Sequence, residues 1–282
     1  MFFSLLFACS EPISSNNEPS LSAMELQTCD QSGIAISDAQ RAALMAAGMT
    51  QCIAPFEILI AADSDIPSSY IELVGTIVSE MVDGDKDGVV DDEAVVEKLR
   101  RGESAWLAMP LDPARWEDEQ FPQLEGVLGY DIIVPMWWME GSAPQTVPSE
   151  RARAVMVEEV THFFTQFGWS PVYPESFGVD RWDSVIARET QRAACDWWQH
   201  PENACPNNPA EYPGDCSDPS CDVVEFYHQV LVLRAGMRPA WFGIGFPQTK
   251  DELEAKLSDD IKAVMDDPQY HQRQTPLTFS YP

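Results

Sequence analysis

Basic residues are scarce in this chain. Its 17 lysines and arginines face 46 aspartates and glutamates, and the formal net charge at pH 7 is -29. A protein that binds nucleic acid needs a basic surface to neutralise phosphates. The composition therefore argues against nucleic-acid partners. It favours an acidic, solvated surface that works in salty water or beside divalent cations.

The chain also lacks the short motifs of two large enzyme classes. It contains no Gly-rich phosphate loop and no G-x-S-x-G nucleophile elbow. Nucleotide-binding and serine-hydrolase functions therefore have no support in the sequence. The apolar run at the N-terminus is too short to span a membrane.

This N-terminal run resembles the signal of a bacterial lipoprotein. It ends in a small residue followed by Cys9, although it is short and has no basic segment before it. The resemblance implies a signal over residues 1–9, a lipid anchor on Cys9 and a tether over residues 10–35. The protein would then be exported, as an outer-membrane or cell-surface lipoprotein in a periplasmic or extracellular setting. Its only membrane contact would be the anchor.

The cysteine count favours the same compartment. Of seven cysteines, six remain once Cys9 is set aside, and an even number suits an exported protein with up to three disulfides. Cys29 and Cys52 form the natural N-terminal pair. The other four allow three pairings inside a stapled loop, residues 195–221. The most local pairing joins Cys195 to Cys205 and Cys216 to Cys221.

Apolar periodicity predicts an α+β fold, with a small early β-sheet followed by a mainly helical half, in one domain over residues 36–282. The predicted strands are 56–61, 104–109 and 130–134. The third is expected at the sheet edge, because Pro135 follows it directly. The predicted helices are 36–50, 68–82, 92–100, 149–167, 181–198, 222–236 and 250–265. Gly168 is expected to end the fourth of these helices.

Residues 83–93 form an aspartate-rich loop that predicts a calcium site. Alternating carboxylates provide the hard oxygen ligands that calcium requires, and Gly88 allows the sharp bend between them. The loop resembles those of EF-hand, dockerin and thrombospondin type 3 proteins. It departs from the EF-hand at Ala94, where a glutamate is expected, so that Glu93 or Asp92 would have to substitute. The expected ligands are Asp83, Asp85, Asp87, Val89 (through its carbonyl), Asp91 and Glu93. The alternative is an acidic surface loop that binds no ion.

Two of the four histidines follow a glutamate by three residues inside apolar segments. These pairs are Glu159–His162 and Glu225–His228. On a helix, each pair shares one turn, so that a carboxylate and an imidazole can reach one ion. An unpaired carboxylate in apolar surroundings is costly. The pattern therefore predicts a buried metal site. The alternative is a pair of Glu–His hydrogen bonds without metal.

The string Glu158-Glu159-Val-Thr-His162 resembles the zincin metallopeptidase motif H-E-x-x-H, with its first histidine replaced by Glu158. The resemblance implies zinc, with Glu158 and His162 as ligands and Glu159 as the general base. In gluzincins, a branch of this family, a glutamate from a downstream helix is the third ligand. Glu225 matches that role, with His228 as a ligand or an outer partner. The strand and helix order over residues 55–235 is also similar to a zincin-like fold. The implied function is a metal-dependent hydrolase that acts on a peptide or protein substrate.

Two other functions remain open. In a carboxylate-bridged di-iron protein, the two Glu-x-x-His pairs would be joined by Glu189 and by Glu72 or Glu80, although the early strands and an oxidising compartment argue against it. The non-enzymatic alternative is a calcium-stabilised surface lipoprotein that binds a partner or ligand. The chain also resembles uncharacterised exported proteins that share the aspartate loop, the Glu-Glu-x-x-His string and a Tyr-Pro-x-x-Phe-Gly segment like Tyr173–Gly178.

Overall fold

The strands gather in the first half of the chain and helices dominate the second, so that the predicted α+β class is confirmed. The structure, a computed structural model, describes residues 25–140, 145–198, 219–243 and 245–282. In these ranges the strands are β1 (Gln27–Thr28), β2 (Gln51–Ile53), β3 (Ile60–Ala62), β4 (Ala105–Met109) and β5 (Tyr130–Ile133). The helices are α1 (Asp38–Ala47), α2 (Ser68–Val82), α3 (Glu93–Leu99), α4 (Pro113–Arg115), α5 (Phe121–Leu124), α6 (Met136–Met139), α7 (Glu150–Phe163), α8 (Ser170–Val172), α9 (Pro174–Phe177), α10 (Val185–Asp196), α11 (Pro219–Arg234), α12 (Lys250–Glu254) and α13 (Asp259–Asp266).

The sheet keeps the strands in chain order, β1-β2-β3-β4-β5. The first three strands pair antiparallel, whereas β3, β4 and β5 run parallel, with Ile60 opposite Leu107 and Ala105 opposite Tyr130. A parallel pair needs a crossover connection, and α2 and α3 lie in the connection between β3 and β4. β5 lies at the end of this order, which confirms the predicted edge strand.

Each face of the sheet covers its own core. Along β4, Leu107 and Met109 face the larger core, which also contains the apolar sides of α2, α7 and α11, whereas Trp106 and Ala108 face the smaller one. This alternation follows from the two-residue period of a strand. The larger core brings α7 and α11 into one buried layer, and these are the two helices that carry the Glu/His pairs.

One predicted strand begins later than expected. β3 starts at Ile60, because Pro55–Glu57 form a 3₁₀ turn in which Phe56 and Glu57 have φ of 51° and 67°. A strand requires negative φ, so these residues cannot extend it.

The helix that begins after Ser149 does not end at Gly168, contrary to the prediction. The Ser149 hydroxyl accepts a hydrogen bond from the Ala152 backbone as an N-cap. At the other end, α7 continues as a π-helical turn over Phe164–Trp169 and then as α8. A Cβ at Gly168 would lie 2.9 Å from Cγ1 of Val95 in α3. The glycine therefore allows two helices to approach closely rather than ending one of them.

The bounds of three other helices differ from the prediction. α10 begins after Ser184, whose hydroxyl accepts from the Ala187 backbone, and so it is shorter than the predicted 181–198. α11 begins at Pro219 and ends before Gly236, which has φ of 81°. The predicted helix 250–265 is two helices, because Ser258 caps α13 separately.

The predicted Cys29–Cys52 disulfide is confirmed, and both cysteines are buried in the smaller core. The prediction of a tether over residues 10–35 is wrong for residues 25–35. These residues are folded, since they contain β1, Cys29 and the buried Ile34. Cys195 and Cys221 are also disulfide-bonded. Their expected partners Cys205 and Cys216, like residues 1–24 with the predicted signal and Cys9, lie outside the described residues. Within the described chain, no helix has both the length and the apolar character that a membrane crossing requires.

Candidate metal centre

Four predicted ligands from two distant helices meet in the interior. Glu158 and His162 come from α7, and Glu225 and His228 come from α11. One ligand atom from each residue lies within 4.8 Å of the others. His228 is fully buried, and Glu158 and His162 are buried nearly as well. The predicted convergence of the two Glu/His segments is therefore present in the structure.

Three of these atoms form a nearly equilateral triangle. His162 Nε2 lies 3.3 Å from His228 Nδ1 and 3.6 Å from Glu225 Oε2. The third side, from His228 Nδ1 to Glu225 Oε2, is 3.5 Å. Tetrahedral zinc bonds nitrogen and oxygen at about 2.1 Å, which separates neighbouring ligand atoms by about 3.4 Å. The triangle thus has the dimensions of one face of a tetrahedral zinc site.

Glu158 lies beside this triangle. Its Oε1 is 3.9 Å from Nε2 of His228, whereas the triangle contains the other ring nitrogen, Nδ1. The indole Nε1 of Trp241 donates a hydrogen bond of 2.6 Å to the same oxygen. Glu158 can therefore provide a fourth ligand or accept a proton beside the ion. Sequence reasoning did not identify Trp241, because nothing in its local pattern connects it with α7.

Glu159 lies on the outer side of His162. Its Oε2 is 3.4 Å from Nδ1 of His162, whereas Nε2 of the same ring faces the triangle. It is not one of the four residues that converge. A carboxylate behind a ligating imidazole fixes the ring orientation and its tautomer. The geometry thus supports an orienting role for Glu159 rather than the predicted role of general base.

The site concentrates negative charge in a buried place. Burial alone would lower the pKa of His162, but Glu225, followed by Glu159 and Glu158, raises that pKa to about 9. Burial also raises the pKa of Glu159, against the opposing effect of His162. Buried carboxylates are costly unless positive charge compensates them. The surroundings therefore favour a cation, either a proton on His162 or a metal ion.

One polar atom of the cluster needs a partner. Nε2 of the fully buried His228 makes no hydrogen bond within the described residues. Buried polar groups are normally satisfied. A ring that binds an ion through Nδ1 presents Nε2–H outward, and the nearest carboxylate on that side is Glu158. Ligation would thus give both ring nitrogens of His228 a role.

The carboxylates expected to bridge two irons lie elsewhere. Glu189 pairs with Arg192 and accepts from the Ser258 backbone. Glu80 pairs with Arg273, and Glu72 is exposed to solvent. Neither of the clusters found among the described residues includes them. The geometry accordingly supports one ion at this site rather than a carboxylate-bridged pair.

The aspartate loop brings together part of its predicted ligand set. Oxygen atoms of Asp83, Asp85 and Asp91 lie within 4.8 Å of one another. Asp87, which accepts a hydrogen bond from the Val89 backbone, is not part of this cluster, and Glu93 pairs with Arg100 outside the loop. Asp92, the other expected substitute at the end of the loop, caps α3. The predicted ligand role of Glu93 is therefore not supported.

The C-terminal segment contacts this loop, which sequence reasoning did not predict. The Tyr281 hydroxyl donates to Asp83, and Lys86 donates to Thr278 and to the Ser280 carbonyl. Gly88, with φ of 85°, donates its backbone N–H to Asp83. The contacts of Tyr281, Thr278 and Ser280 join segments almost 200 residues apart, so they leave no local pattern in the sequence.

Comparison with protein-family models, with curated proteins and with solved structures gives no match to this chain. The geometry of the two clusters is therefore the guide to function.

Proposed function

We propose that this protein is a metal-dependent hydrolase with one zinc-like ion held by His162, His228 and Glu225. The observation that carries the proposal is the triangle of their ligand atoms, whose sides of 3.3, 3.5 and 3.6 Å suit tetrahedral coordination at about 2.1 Å. Three protein ligands leave the fourth position for water or substrate, which is the arrangement of catalytic rather than structural zinc.

When bound, such an ion polarises a carbonyl and makes water acidic enough to attack near neutral pH. Two carboxylates then have different roles. Glu158 offers an oxygen within 4.8 Å of one ligand atom of each of the other three residues and can receive the proton. Glu159, behind His162, holds the ring in place. This assignment gives Glu158 the proton-accepting role that the zincin resemblance implies for Glu159, and Glu159 becomes an orienting residue instead.

Metal analysis of the purified protein tests the centre. We expect about one zinc per chain after exposure to zinc and dialysis, and loss of that zinc in His228→Ala. The matched control is His271→Asn, which removes an exposed histidine at φ of 48° and should keep the metal. Zinc retained by His228→Ala would contradict the proposed ligand set.

Cobalt substitution tests whether the fourth position is open. Cobalt(II) in a three-ligand site should change its visible absorption when azide is added, because azide replaces the exchangeable ligand. A site closed by Glu158 as fourth ligand should show no change. That result would replace the hydrolase by a structural metal site.

A non-catalytic function has one observation in its favour. The Asp83, Asp85 and Asp91 cluster offers the hard oxygens that calcium prefers, next to the C-terminal segment. In this second candidate, calcium stabilises a surface protein that binds a partner. A closed metal site together with calcium-dependent stability would support it over the hydrolase.

An exported location is part of both candidates. The buried Cys29–Cys52 disulfide is compatible with an extracellular environment. A lipid anchor on Cys9 and a peptide or protein substrate remain proposals that follow from the resemblances. Labelling with a radioactive fatty acid, compared between the natural sequence and Cys9→Ser, tests the anchor.

A further inference from the structure

A cavity lined by none of the proposed metal ligands lies beside the C-terminal end of α11. Its volume is about 410 Å³. This is within the range of pockets that bind small molecules. Three apolar side chains line it, from Leu233, Met237 and Phe242, and three polar ones, from Arg238, Gln248 and Lys250.

Two cationic side chains, from Arg238 and Lys250, line this cavity in a chain of net charge -29. Most basic side chains here form ion pairs, such as Arg234 with Glu254 and Arg192 with Glu189. Neither Arg238 nor Lys250 forms one with any residue that the structure describes. The guanidinium of Arg238 instead lies over the Phe242 ring, 5.4 Å from its centroid. That stacking holds the charged group against the cavity wall.

Glu252, two residues after Lys250, forms no ion pair with either cation among the described residues. Glu252 is directed to the backbone, since its Oε2 accepts from the N–H of Gln248 at 2.9 Å. The Gln248 side-chain amide donates to the Phe246 carbonyl at 3.0 Å, which fixes the polar rim. The cavity thus has a cationic side and an apolar side, while the protein as a whole repels anions with its net charge of -29.

We propose that this cavity binds a small organic carboxylate with an apolar body. The carboxylate would lie between Arg238 and Lys250, where a guanidinium fork and an ammonium both donate to it. The apolar body would contact Met237 and Phe242, which are half-buried, and remove their remaining surface from water beside the buried Leu233. The proposal goes beyond the hydrolase function and does not depend on it.

Calorimetric titration with decanoate tests the proposal, because decanoate is short enough to remain monomeric. We expect saturable binding of one molecule per chain. Arg238→Gln and Lys250→Gln should each weaken it about tenfold, as expected for the loss of a charge-assisted hydrogen bond. Lys98→Gln is the matched control, since it removes an exposed lysine that does not line the cavity. It should leave the affinity within about twofold, through screened long-range charge alone.

Two further probes separate the parts of the site. Decanamide keeps the chain but not the charge, and acetate keeps the charge but not the chain. Both should bind at least about tenfold more weakly than decanoate. No saturable decanoate binding, equal binding of decanamide, or full affinity in Arg238→Gln/Lys250→Gln would overturn the proposal. Repeating the titration after metal removal by a chelator should give the same affinity, which keeps this result independent of the metal centre.

Discussion

Nε2 of His162 lies 3.3 Å from Nδ1 of His228, with the two rings nearly perpendicular. Two imidazole nitrogens at this distance must share a proton or direct both lone pairs at a cation. Glu225 completes the group at 3.5 and 3.6 Å. A shared proton satisfies only one pair of atoms, whereas one ion would satisfy all three. This relationship between α7 and α11 is the basis for the predictions on metal binding.

Replacing Glu225 or Glu159 by glutamine should reduce the zinc affinity by different amounts. Glu225→Gln removes a proposed ligand, and we expect zinc affinity to fall more than about 100-fold, beyond the range typical of outer residues. Glu159→Gln keeps an acceptor oxygen behind His162, and we expect it to reduce the zinc affinity only about tenfold. Competition with a fluorescent zinc chelator measures both affinities. Equal losses would contradict the assignment of inner and outer roles.

Trp241 should act through Glu158. Trp241→Phe keeps an aromatic ring but removes the indole N–H, which donates a hydrogen bond of 2.6 Å to Glu158 Oε1. We expect about a tenfold loss of zinc affinity, because outer hydrogen bonds orient carboxylates at metal sites. If the effect acts through that bond, Trp241→Phe should cost much less in a Glu158→Gln background. A double-mutant cycle on zinc affinity measures this coupling, and additive effects would exclude it.

The sequence was sufficient to predict that the Glu/His residues of α7 and α11 converge, but not the internal geometry of that cluster. The apolar surroundings of Glu225 and His228 predict burial, and buried carboxylates need a cation, so their convergence with α7 follows from general physics. Which face of the His162 ring meets Glu159 depends on side-chain rotamers set by packing, and a motif does not specify these. Glu159 therefore matches a general base in the motif, whereas in the structure it lies behind the His162 ring.

The fold shows the same division between local and distant information. Ser149 as a helix cap and β5 as an edge strand follow from neighbouring residues and were predicted correctly. Gly168 is typical of a helix end in the local sequence, which does not reveal that Val95 packs against it. The contact between Tyr281 and Asp83 was missed for the same reason, since only tertiary structure brings those residues together.

Calcium should stabilise the protein through the aspartate loop. At a calcium concentration about 100 times the Kd, binding to the folded state alone adds about 2.7 kcal/mol, which corresponds to several degrees in Tm. Asp85→Asn should abolish this gain, because Asp85 belongs to the cluster. Glu93→Gln should keep it, because Glu93 pairs with Arg100. Thermal unfolding with and without calcium checks both variants, and an unchanged gain in Asp85→Asn would exclude the loop as the site.

Glu80 should make the attachment of the C-terminal segment sensitive to acid. Its buried carboxylate accepts from the backbone N–H groups of Thr278 and Ser280 and pairs with Arg273. Burial alone would raise the pKa of Glu80, but the hydrogen bonds from Thr278 and Ser280 lower it below its usual value. The folded pKa is then below the unfolded one, so that this stabilisation is complete above about pH 4.5 and is lost as the pH falls through the folded value.

Two measurements test the role of Glu80. The free energy of unfolding should decrease as the pH falls below about 4.5, and the decrease should be smaller in Glu80→Gln. At pH 7, Glu80→Gln should itself cost about 3 kcal/mol, because it leaves Arg273 buried without its anion. Amide exchange of residues 278–280 reports release of the segment directly. Identical pH profiles in the two proteins would show that other carboxylates cause the acid sensitivity.

Gly168 provides a test of the helix packing. Gly168→Ala should destabilise the protein by about 1–3 kcal/mol, the usual cost of overpacking, because the new methyl group would lie 2.9 Å from Cγ1 of Val95. The glycine has no positive φ, so alanine would otherwise be favourable in a helical turn. Adding Val95→Ala removes the clashing atom and should make the pair less destabilised than the sum of the two changes. Denaturant unfolding measures the three variants, and a stabilised Gly168→Ala would show that packing against Val95 does not require the glycine.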